Sequence, residues 1–290
     1  MKNSKVIFLS LLIILLNAWG CQTVPKVQER KGPPKIALVL GGGAARGFAH
    51  VGVIRVLEQE KIPIHLIVGT SVGSLIGALY ASDPNSFNLE WLSFTIEKED
   101  IFDYSVLSAK MGPVSGERLE KFVQTKVRAK TIEQMKIPFY AITTDLNTGN
   151  TWVFDKGSVA KAVRASSSIP GIFQPLEYLG RTYVDGGVTD ILPVDVARAR
   201  GADIIIAVSI QKTIKNAPAN SLIDVILQSI DIMSRELCTY KSRGYDVLIE
   251  PNVGDVGTTD FTQKKRLMDA GIQAAKQALP RIRQLMAEKM

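Results

Sequence analysis

Short apolar runs alternate with amphipathic segments from residue 35 to residue 286 of the sequence. The apolar runs are continuous rather than alternating, which is typical of strands that are covered on both faces, as in parallel sheets. These runs predict strands over Ile36–Leu40, Ile64–Val68, Pro138–Thr144, Asp203–Ser209 and Asp246–Glu250, with a short strand at Tyr183–Val184.

The segments between these runs carry apolar residues at helical spacing and therefore predict helices. Because strands alternate with helices, the pattern predicts an α/β fold with right-handed crossovers. Ligands of such folds bind at the carboxyl ends of the strands, where both Gly41 and Ser71 fall. The predicted helices are Gly47–Gln59, Ser71–Ala81, Gly116–Arg128, Ser158–Ser166, Val194–Arg200, Ser221–Lys241 and Thr262–Met286.

The stretch 83–113 has more aromatic residues and a weaker pattern than its surroundings. Two interpretations fit it equally well. One is a lid or a membrane-facing cap, and the other is a plain surface insertion.

The first twenty residues differ from the rest of the chain. Lys2 and Lys5 precede an apolar run of about 11 residues, which is shorter than the roughly 20 residues that a membrane-spanning helix needs. A positive segment followed by a short apolar one is typical of a secretory signal. We therefore expect a signal peptide over residues 1–20.

Cys21 follows this segment and resembles the lipid-bearing cysteine of a bacterial lipoprotein signal. The alternative is an ordinary cleaved signal, because Ala18 and Trp19 depart from the usual lipoprotein pattern. Residues 21–34 are polar and rich in proline, which favours a lipidated tether ahead of one domain over 35–290. Gln22 favours the outer membrane over the inner one as the place of the anchor.

Composition narrows the class of protein. With 46% hydrophobic and 22% charged residues, the chain is an ordinary globular protein. Its net charge of +7 suits an anionic membrane surface. No basic run is interleaved with aromatic residues, which argues against a nucleic-acid partner. Two cysteines are too few for a disulfide framework, and Cys238 is predicted to be a buried small apolar residue.

Gly69, Ser71 and Gly73 form a G-x-S-x-G pattern between a predicted strand and a predicted helix. In a nucleophile elbow the turn is so tight that side chains at the two glycine positions would collide with neighbouring backbone. The turn also places the serine hydroxyl at a helix N-terminus, where N–H groups favour developing negative charge. The alternative is a turn of small residues that packs a helix onto a sheet.

The histidines exclude the usual partner of such a serine. His50 and His65 are the two histidines of the chain, and both precede Ser71. The α/β-hydrolase order of serine, acid and histidine therefore cannot be met. We expect His65 at a strand edge and His50 on the first helix, so the base is expected to be a carboxylate.

Asp185 is the best candidate for this carboxylate. It follows a short strand and precedes Gly186 and Gly187, which allow the backbone to approach closely. Taken locally, a hairpin turn is the stronger interpretation, because Asp-Gly is a common turn signal. Asp145 and Asp155 are rival candidates near other turns.

The sequence GGGAARG at 41–47 links the first strand to the first helix. Such loops present several N–H groups to an anion. A dinucleotide site would need G-x-G-x-x-G, and each frame of the loop misses one glycine. A Walker loop is excluded because Gly-Lys-Ser/Thr is absent. An oxyanion hole needs only two good donors near Ser71, and alanine supplies a backbone N–H as well as glycine does.

Four ordered segments together resemble the patatin-like phospholipase family, in its bacterial branch related to neuropathy target esterase. They are GGGAARGFAHVGV at 41–53, GTSVGS at 69–74, ASSSIPGIFQP at 165–175 and DGGVTDILPV at 185–194. The resemblance implies a three-layer α/β/α sandwich with a mainly parallel central sheet. It also implies that Ser71 is the nucleophile and that Asp185 is its only base.

The resemblance further implies an oxyanion hole made of backbone amides, with no metal or cofactor. The residues concerned are Gly42, Gly43 and Ala44, with Arg46 steadying the loop. The implied activity is a serine-dependent lipid acyl hydrolase, of phospholipase A or lysophospholipase type, that acts on membrane glycerolipids. Acyl transfer and non-catalytic lipid binding are the alternatives.

Overall fold

The computed structural model describes residues 32–104, 112–212, 221–241 and 243–290. The predicted signal peptide and Cys21 lie outside these residues, so export and lipidation stay predictions. No helix among the described residues is long and apolar enough to cross a membrane. Residues 34–290 form one compact unit.

A mixed sheet lies at the centre of this unit. In its described part the paired strands follow the order β5-β6-β3-β2-β1-β7-β8, and β4 pairs with β3. Five neighbouring strands run parallel to one another, in the order β3, β2, β1, β7 and β8. The pairs that involve β4, β5 and β6 are antiparallel. The strands are β1 Ile36–Leu40, β2 Leu66–Thr70, β3 Phe139–Asp145, β4 Thr151–Phe154, β5 Leu176–Tyr178, β6 Arg181–Asp185, β7 Ile204–Val208 and β8 Val247–Ile249.

Helices cover both faces of this sheet. Successive side chains of each strand point to opposite faces, so each strand contributes to both layers of packing. In β1, Ile36, Leu38 and Leu40 face a large apolar core, whereas Ala37 and Val39 face a smaller one. The α/β three-layer prediction is therefore confirmed. The described helices are α1 Phe48–Gln59, α2 Val72–Ser82, α3 Ser86–Thr95, α4 Glu117–Lys126, α5 Val159–Ser166, α6 Val194–Ala199, α7 Leu222–Lys241 and α8 Lys264–Glu288.

Three elements escaped the sequence prediction, namely α3, β4 and β5. Helix α3 lies inside the aromatic stretch 83–113 and exposes Phe87, Trp91 and Phe94. Apolar residues therefore occupy both of its faces, and the periodic signal is lost. Strands β4 and β5 are short antiparallel edge strands whose residues are mostly half-exposed.

The carboxyl ends of β2 and β6 meet along one edge of β3. Ala141 of β3 pairs with both β2 and β4, and Thr143 pairs with both β4 and β6. Strand β4 therefore occupies one edge of β3, and β2 and β6 share the other. Thr70 of β2 lies opposite Ile142, and Asp185 of β6 lies opposite Thr143. The fold thus brings Asp185 to the point where Ser71 leaves the sheet.

Helices α1 and α8 pack with their backbones in contact. A Cβ atom at Gly52 of α1 would lie 2.0 Å from the Met268 carbonyl oxygen, and one at Gly271 of α8 would lie 2.0 Å from the Ala49 carbonyl oxygen. Alanine would favour either helix by about 1 kcal/mol over glycine. Close packing, not helix propensity, therefore explains these two glycines.

We predict that Gly271→Ala lowers the free energy of unfolding by about 2 kcal/mol, because the new methyl group forces α1 and α8 apart. Urea unfolding followed by circular dichroism measures this change as a lower midpoint. Gly257→Ala is the matched control, since a Cβ there meets no atom within 4 Å. Equal midpoints for the two variants would contradict the packing explanation.

Candidate active site

Ser71 lies in a strained turn between β2 and α2. Its φ of 56° is in the left-handed region, which is uncommon for a residue with a side chain. A Cβ at Gly69 would lie 2.5 Å from the Gly73 carbonyl oxygen, and one at Gly73 would lie 2.1 Å from the Leu40 carbonyl oxygen. Ser71 is the N-cap of α2 and is only 4% exposed. This is the geometry of a nucleophile elbow.

Asp185 is the last residue of β6 and begins a short 3-10 turn. Its Oδ1 accepts a hydrogen bond from the Gly187 N–H at 2.7 Å. A Cβ at Gly186 would lie 2.3 Å from the Ile142 carbonyl oxygen, so the backbone touches β3 at this point. The aspartate is held in place by its own turn, and this leaves Oδ2 for another partner.

The electrostatics of Asp185 suit a base. Burial raises the pKa of its carboxyl to about 6, against the smaller opposing effects of the Ser71 hydroxyl and the Gly187 N–H. Its buried Oδ2 accepts no hydrogen bond of ordinary geometry among the described residues. Catalytic hydrogen bonds are often long before substrate binds. The carboxylate beside the Ser71 hydroxyl therefore has one oxygen, Oδ2, that is available to accept the serine proton.

The segment 165–175 ties Ser71 and Asp185 to the same support. Ser166 Oγ accepts a hydrogen bond from the Ser71 N–H at 2.9 Å, and the Ser168 carbonyl oxygen accepts one from the Asp185 N–H at 2.9 Å. The buried Arg164 donates to Ser168 Oγ and to the Gln174 carbonyl oxygen. These contacts explain the third motif, and sequence reasoning had not assigned the role of Arg164.

The glycine loop departs from its predicted role at one residue. The Gly42 N–H donates to the Ile191 carbonyl oxygen at 3.1 Å, so in this conformation it is engaged and not available to an oxyanion. The N–H groups of Gly43 and Ala44 donate to no acceptor among the described residues. The structure therefore leaves two of the three predicted donors, Gly43 and Ala44, beside Ser71.

The loop lies directly against the nucleophile turn. A Cβ at Gly42 would lie 3.2 Å from Ser71 Cβ, and one at Gly47 would lie 2.2 Å from Val72 Cγ2. Ala44 has a φ of 49°, a region that favours glycine and costs other residues about 1 kcal/mol or more. The loop therefore carries backbone strain at Ala44, one of the two residues whose N–H groups have no acceptor among the described residues.

Arg46 anchors the loop to α7. Its buried guanidinium bonds Asp231 Oδ1 at 3.1 Å and the Val256 carbonyl oxygen at 3.4 Å. Asp231 also pairs with Lys212 at 3.1 Å. The predicted steadying role of Arg46 thus has a partner that sequence reasoning missed, because Arg46 and Asp231 are 185 positions apart.

Neither histidine lines the site. Burial lowers the pKa of His50 to about 4, so its neutral ring donates from Nε2 to the Gly41 carbonyl oxygen at 2.8 Å. His65 accepts a hydrogen bond from the Ile36 N–H at 3.0 Å, where β1 begins. His50 therefore supports the glycine loop, and His65 joins two strands.

The rival carboxylates are engaged elsewhere. Asp145 pairs with Arg181, which lowers the pKa of its carboxyl, and Asp155 pairs with Arg200 at 3.0 Å. Neither lines the cavity at Ser71, whereas Asp185 and Asp231 do. No group of three or more His, Cys, Asp and Glu residues in the described ranges could hold a metal ion.

A cavity of about 60 Å³ joins these parts. Helix α7 contributes Leu227, Ile230, Asp231 and Ser234 to its lining. Binding sites for small molecules usually measure at least about 300 Å³. The catalytic cavity therefore has little free volume in this conformation, and α7 supplies part of its lining.

The model of the patatin-like phospholipase family matches residues 38–198, which include Ser71 and Asp185. The chain belongs to the patatin-like phospholipase family. Within that family it is related to the NTE group. It is 31% identical over 275 residues to mouse patatin-like phospholipase domain-containing protein 6, covering 83% of this chain and 20% of that protein. It is 36% identical over 179 residues to an uncharacterized NTE family protein of Mycobacterium tuberculosis, covering 61% and 49%.

Solved structures agree on the fold. VipD from Legionella pneumophila has a TM-score of 0.59 at 13% identity, covering 89% of this chain and 67% of that one. The type III effector protein ExoU has a TM-score of 0.50 at 14% identity, covering 88% and 54%. At such identities the likeness shows the fold alone. The chain spans a fifth of the mouse relative and about half of the mycobacterial one.

We predict that kcat/KM for a soluble ester rises with pH to a plateau, with its midpoint near pH 6. Asp185 must lose its proton to act as a base, and burial raises the pKa of its carboxyl to about 6. A pH–rate profile measures this limb.

Asp190→Asn is the matched control for this profile. Burial also raises the pKa of Asp190 to about 6, but Asp190 does not line the catalytic cavity. The acidic limb is expected to persist in this variant. Its loss would show that Asp190, rather than Asp185, controls the rate.

Proposed function

We propose that the protein is a serine-dependent lipid acyl hydrolase that uses a Ser71–Asp185 dyad. The observation that carries this proposal is the pairing of a strained, buried serine with a buried carboxylate that has a free oxygen. Family membership supports a hydrolase acting on lipid esters.

The chemistry follows from the positions of these groups. Asp185 accepts the proton of Ser71 as the serine oxygen attacks the ester carbonyl. The N–H groups of Gly43 and Ala44 stabilise the oxyanion, and loss of one such donor costs about 3–4 kcal/mol in other hydrolases. The alcohol leaves with the proton held by Asp185. Water activated by Asp185 then releases the fatty acid and restores Ser71.

An apolar cavity beside the nucleophile supports a lipid rather than a small ester as the substrate. It shares Ala44 with the catalytic cavity, and its lining is almost wholly apolar. Two turns of α2, or about 10 Å of helix, line this cavity with Val72, Leu75, Ile76 and Leu79. Its free volume is about 40 Å³, so a bound acyl chain must push its walls apart.

Two alternatives remain distinct from hydrolysis. In acyl transfer, an alcohol replaces water in the second half of the reaction, and the dyad is used unchanged. A non-catalytic lipid-binding lipoprotein would keep the cavities and would need neither the strained Ser71 nor the free Asp185 oxygen. Analysis of products in the presence of glycerol separates transfer from hydrolysis.

We predict that residues 22–290 release fatty acid from lysophospholipid micelles, and that Ser71→Ala and Asp185→Asn each lower this release at least 1,000-fold. The first variant removes the nucleophile and the second removes its base. Free fatty acid is measured by mass spectrometry.

Ser74→Ala is the control for Ser71→Ala, because Ser74 is equally buried but bonds the Ser71 carbonyl oxygen through its hydroxyl. It is expected to lower the rate by less than tenfold. Undiminished release by Asp185→Asn would mean that another group is the base. If the folded wild type releases no fatty acid and Ser71 does not react with fluorophosphonate, the hydrolase proposal is wrong. The non-catalytic lipid-binding lipoprotein is then the remaining alternative.

We also propose that the protein is exported and anchored to the outer membrane through lipid on Cys21, on the strength of the sequence alone. Full-length protein expressed in a bacterium is expected to incorporate labelled palmitate and to fractionate with membranes. Cys21→Ser is expected to lose the label. A labelled Cys21→Ser variant would contradict this site, and an unlabelled wild type would favour an ordinary cleaved signal.

A further inference from the structure

A second, larger cavity lies directly behind one wall of the catalytic cavity. Its volume is about 660 Å³, and it shares Gln211 with the catalytic cavity. Ser234 lines the catalytic cavity and Arg235 lines the larger one, and Ile191 and Leu192 are divided in the same way. The two cavities are therefore neighbours, and they meet at Gln211. This larger cavity is the basic groove.

The basic groove is polar and positively charged. Lys212, Arg235 and Arg243 line it, and Glu250 is its one carboxylate among the described residues. The charge of Lys212 is neutralised by an ion pair with Asp231. Arg235 and Arg243 are exposed and make no ion pair within the described ranges. Two guanidinium groups are thus available to an anion, which arginine binds through paired hydrogen bonds.

The wall between the cavities holds an unsatisfied donor. Gln211 Nε2 is buried and has no hydrogen-bond partner among the described residues. Buried donors are nearly always paired, so an orphan of this kind calls for a ligand or a water molecule. Its place, between Ser71 and the two arginines, is where the polar part of a substrate would pass.

The two neighbours of the catalytic cavity differ in the chemistry that they offer. The apolar cavity lies on the side of Ala44 and Val72, and the basic groove lies on the side of Gln211. An ester bound at Ser71 has one apolar arm, its acyl chain, and one arm that carries the alcohol. If the acyl chain takes the apolar cavity, the alcohol arm is directed to the basic groove.

We propose that the basic groove binds the phosphate of a lipid headgroup, with Arg235 and Arg243 as its ligands and Gln211 donating to the glycerol arm. This inference rests on the proposed function, because it assigns the alcohol arm of the same substrate. It makes the protein selective for glycerolipids that carry phosphate over neutral ones of equal chain length.

The test compares two soluble substrates that differ only in phosphate, 1-octanoylglycerol 3-phosphate and 1-octanoylglycerol. The ratio of their kcat/KM values is measured for wild type and for the double variant Arg235→Gln, Arg243→Gln. The ratio is expected to fall at least tenfold, with hydrolysis of 1-octanoylglycerol unchanged. Both side chains are exposed and make no ion pair with any residue that the structure describes, so the variant is expected to fold.

The double variant Lys276→Gln, Arg281→Gln is the matched control, since it also removes two exposed positive charges, from α8 and away from the groove. It is expected to leave the ratio at the wild-type value. An unchanged ratio in the arginine variant of the groove, or an equal fall in the control variant of α8, would overturn the proposal. The second outcome would mean that net charge alone attracts the substrate.

A binding measurement keeps this test separate from the activity. Glycerol 3-phosphate and inorganic phosphate are titrated into Ser71→Ala by calorimetry. Glycerol 3-phosphate is expected to bind more tightly than inorganic phosphate, and the added arginine substitutions are expected to abolish binding. Equal affinity would indicate a site for free phosphate instead of a headgroup. Binding by a protein whose wild type cleaves no ester would refute the proposed function and keep the groove as an anion site.

Discussion

The site depends on one feature of the sheet, the meeting of β2 and β6 end to end along a single edge of β3. A parallel strand carries Ser71 to this point, and an antiparallel strand brings Asp185 to it from the opposite direction. Both strand ends are buried, so the carboxylate loses most of its water. Desolvation raises the pKa of its carboxyl to about 6, and a base of that pKa can operate at neutral pH without a histidine.

The surrounding contacts preserve this meeting point. The segment 165–175 bonds the backbones of Ser71 and Asp185 from one side. The glycine loop approaches from the other, held by His50 at its first residue and by the Arg46–Asp231 pair at its end. Helix α7 carries Asp231 and also lines the cavity at Ser71, so one helix contributes both to the anchor of the glycine loop and to the wall of the site.

Features set by local sterics could be predicted from the sequence, whereas features set by distant partners could not. The elbow at Ser71 was predictable because a side chain at either glycine position would collide with neighbouring backbone, and this requirement is visible in the five-residue pattern itself. Asp185 was not predictable from its own turn, where a hairpin was the stronger local interpretation, and the family resemblance selected it. The engagement of the Gly42 N–H by Ile191 and the pairing of Arg46 with Asp231 join residues far apart in the chain. Helix α3 was missed because its outer face is as apolar as its inner one.

The central claim is that Asp185 alone activates Ser71. The most direct measurement is the rate at which a fluorophosphonate attaches to Ser71, followed by mass spectrometry across pH in wild type and in Asp185→Asn. The account predicts a rate that rises up to about pH 6 and levels off in wild type, and almost no labelling in the variant at any neutral pH. Labelling of Asp185→Asn at the wild-type rate would contradict it.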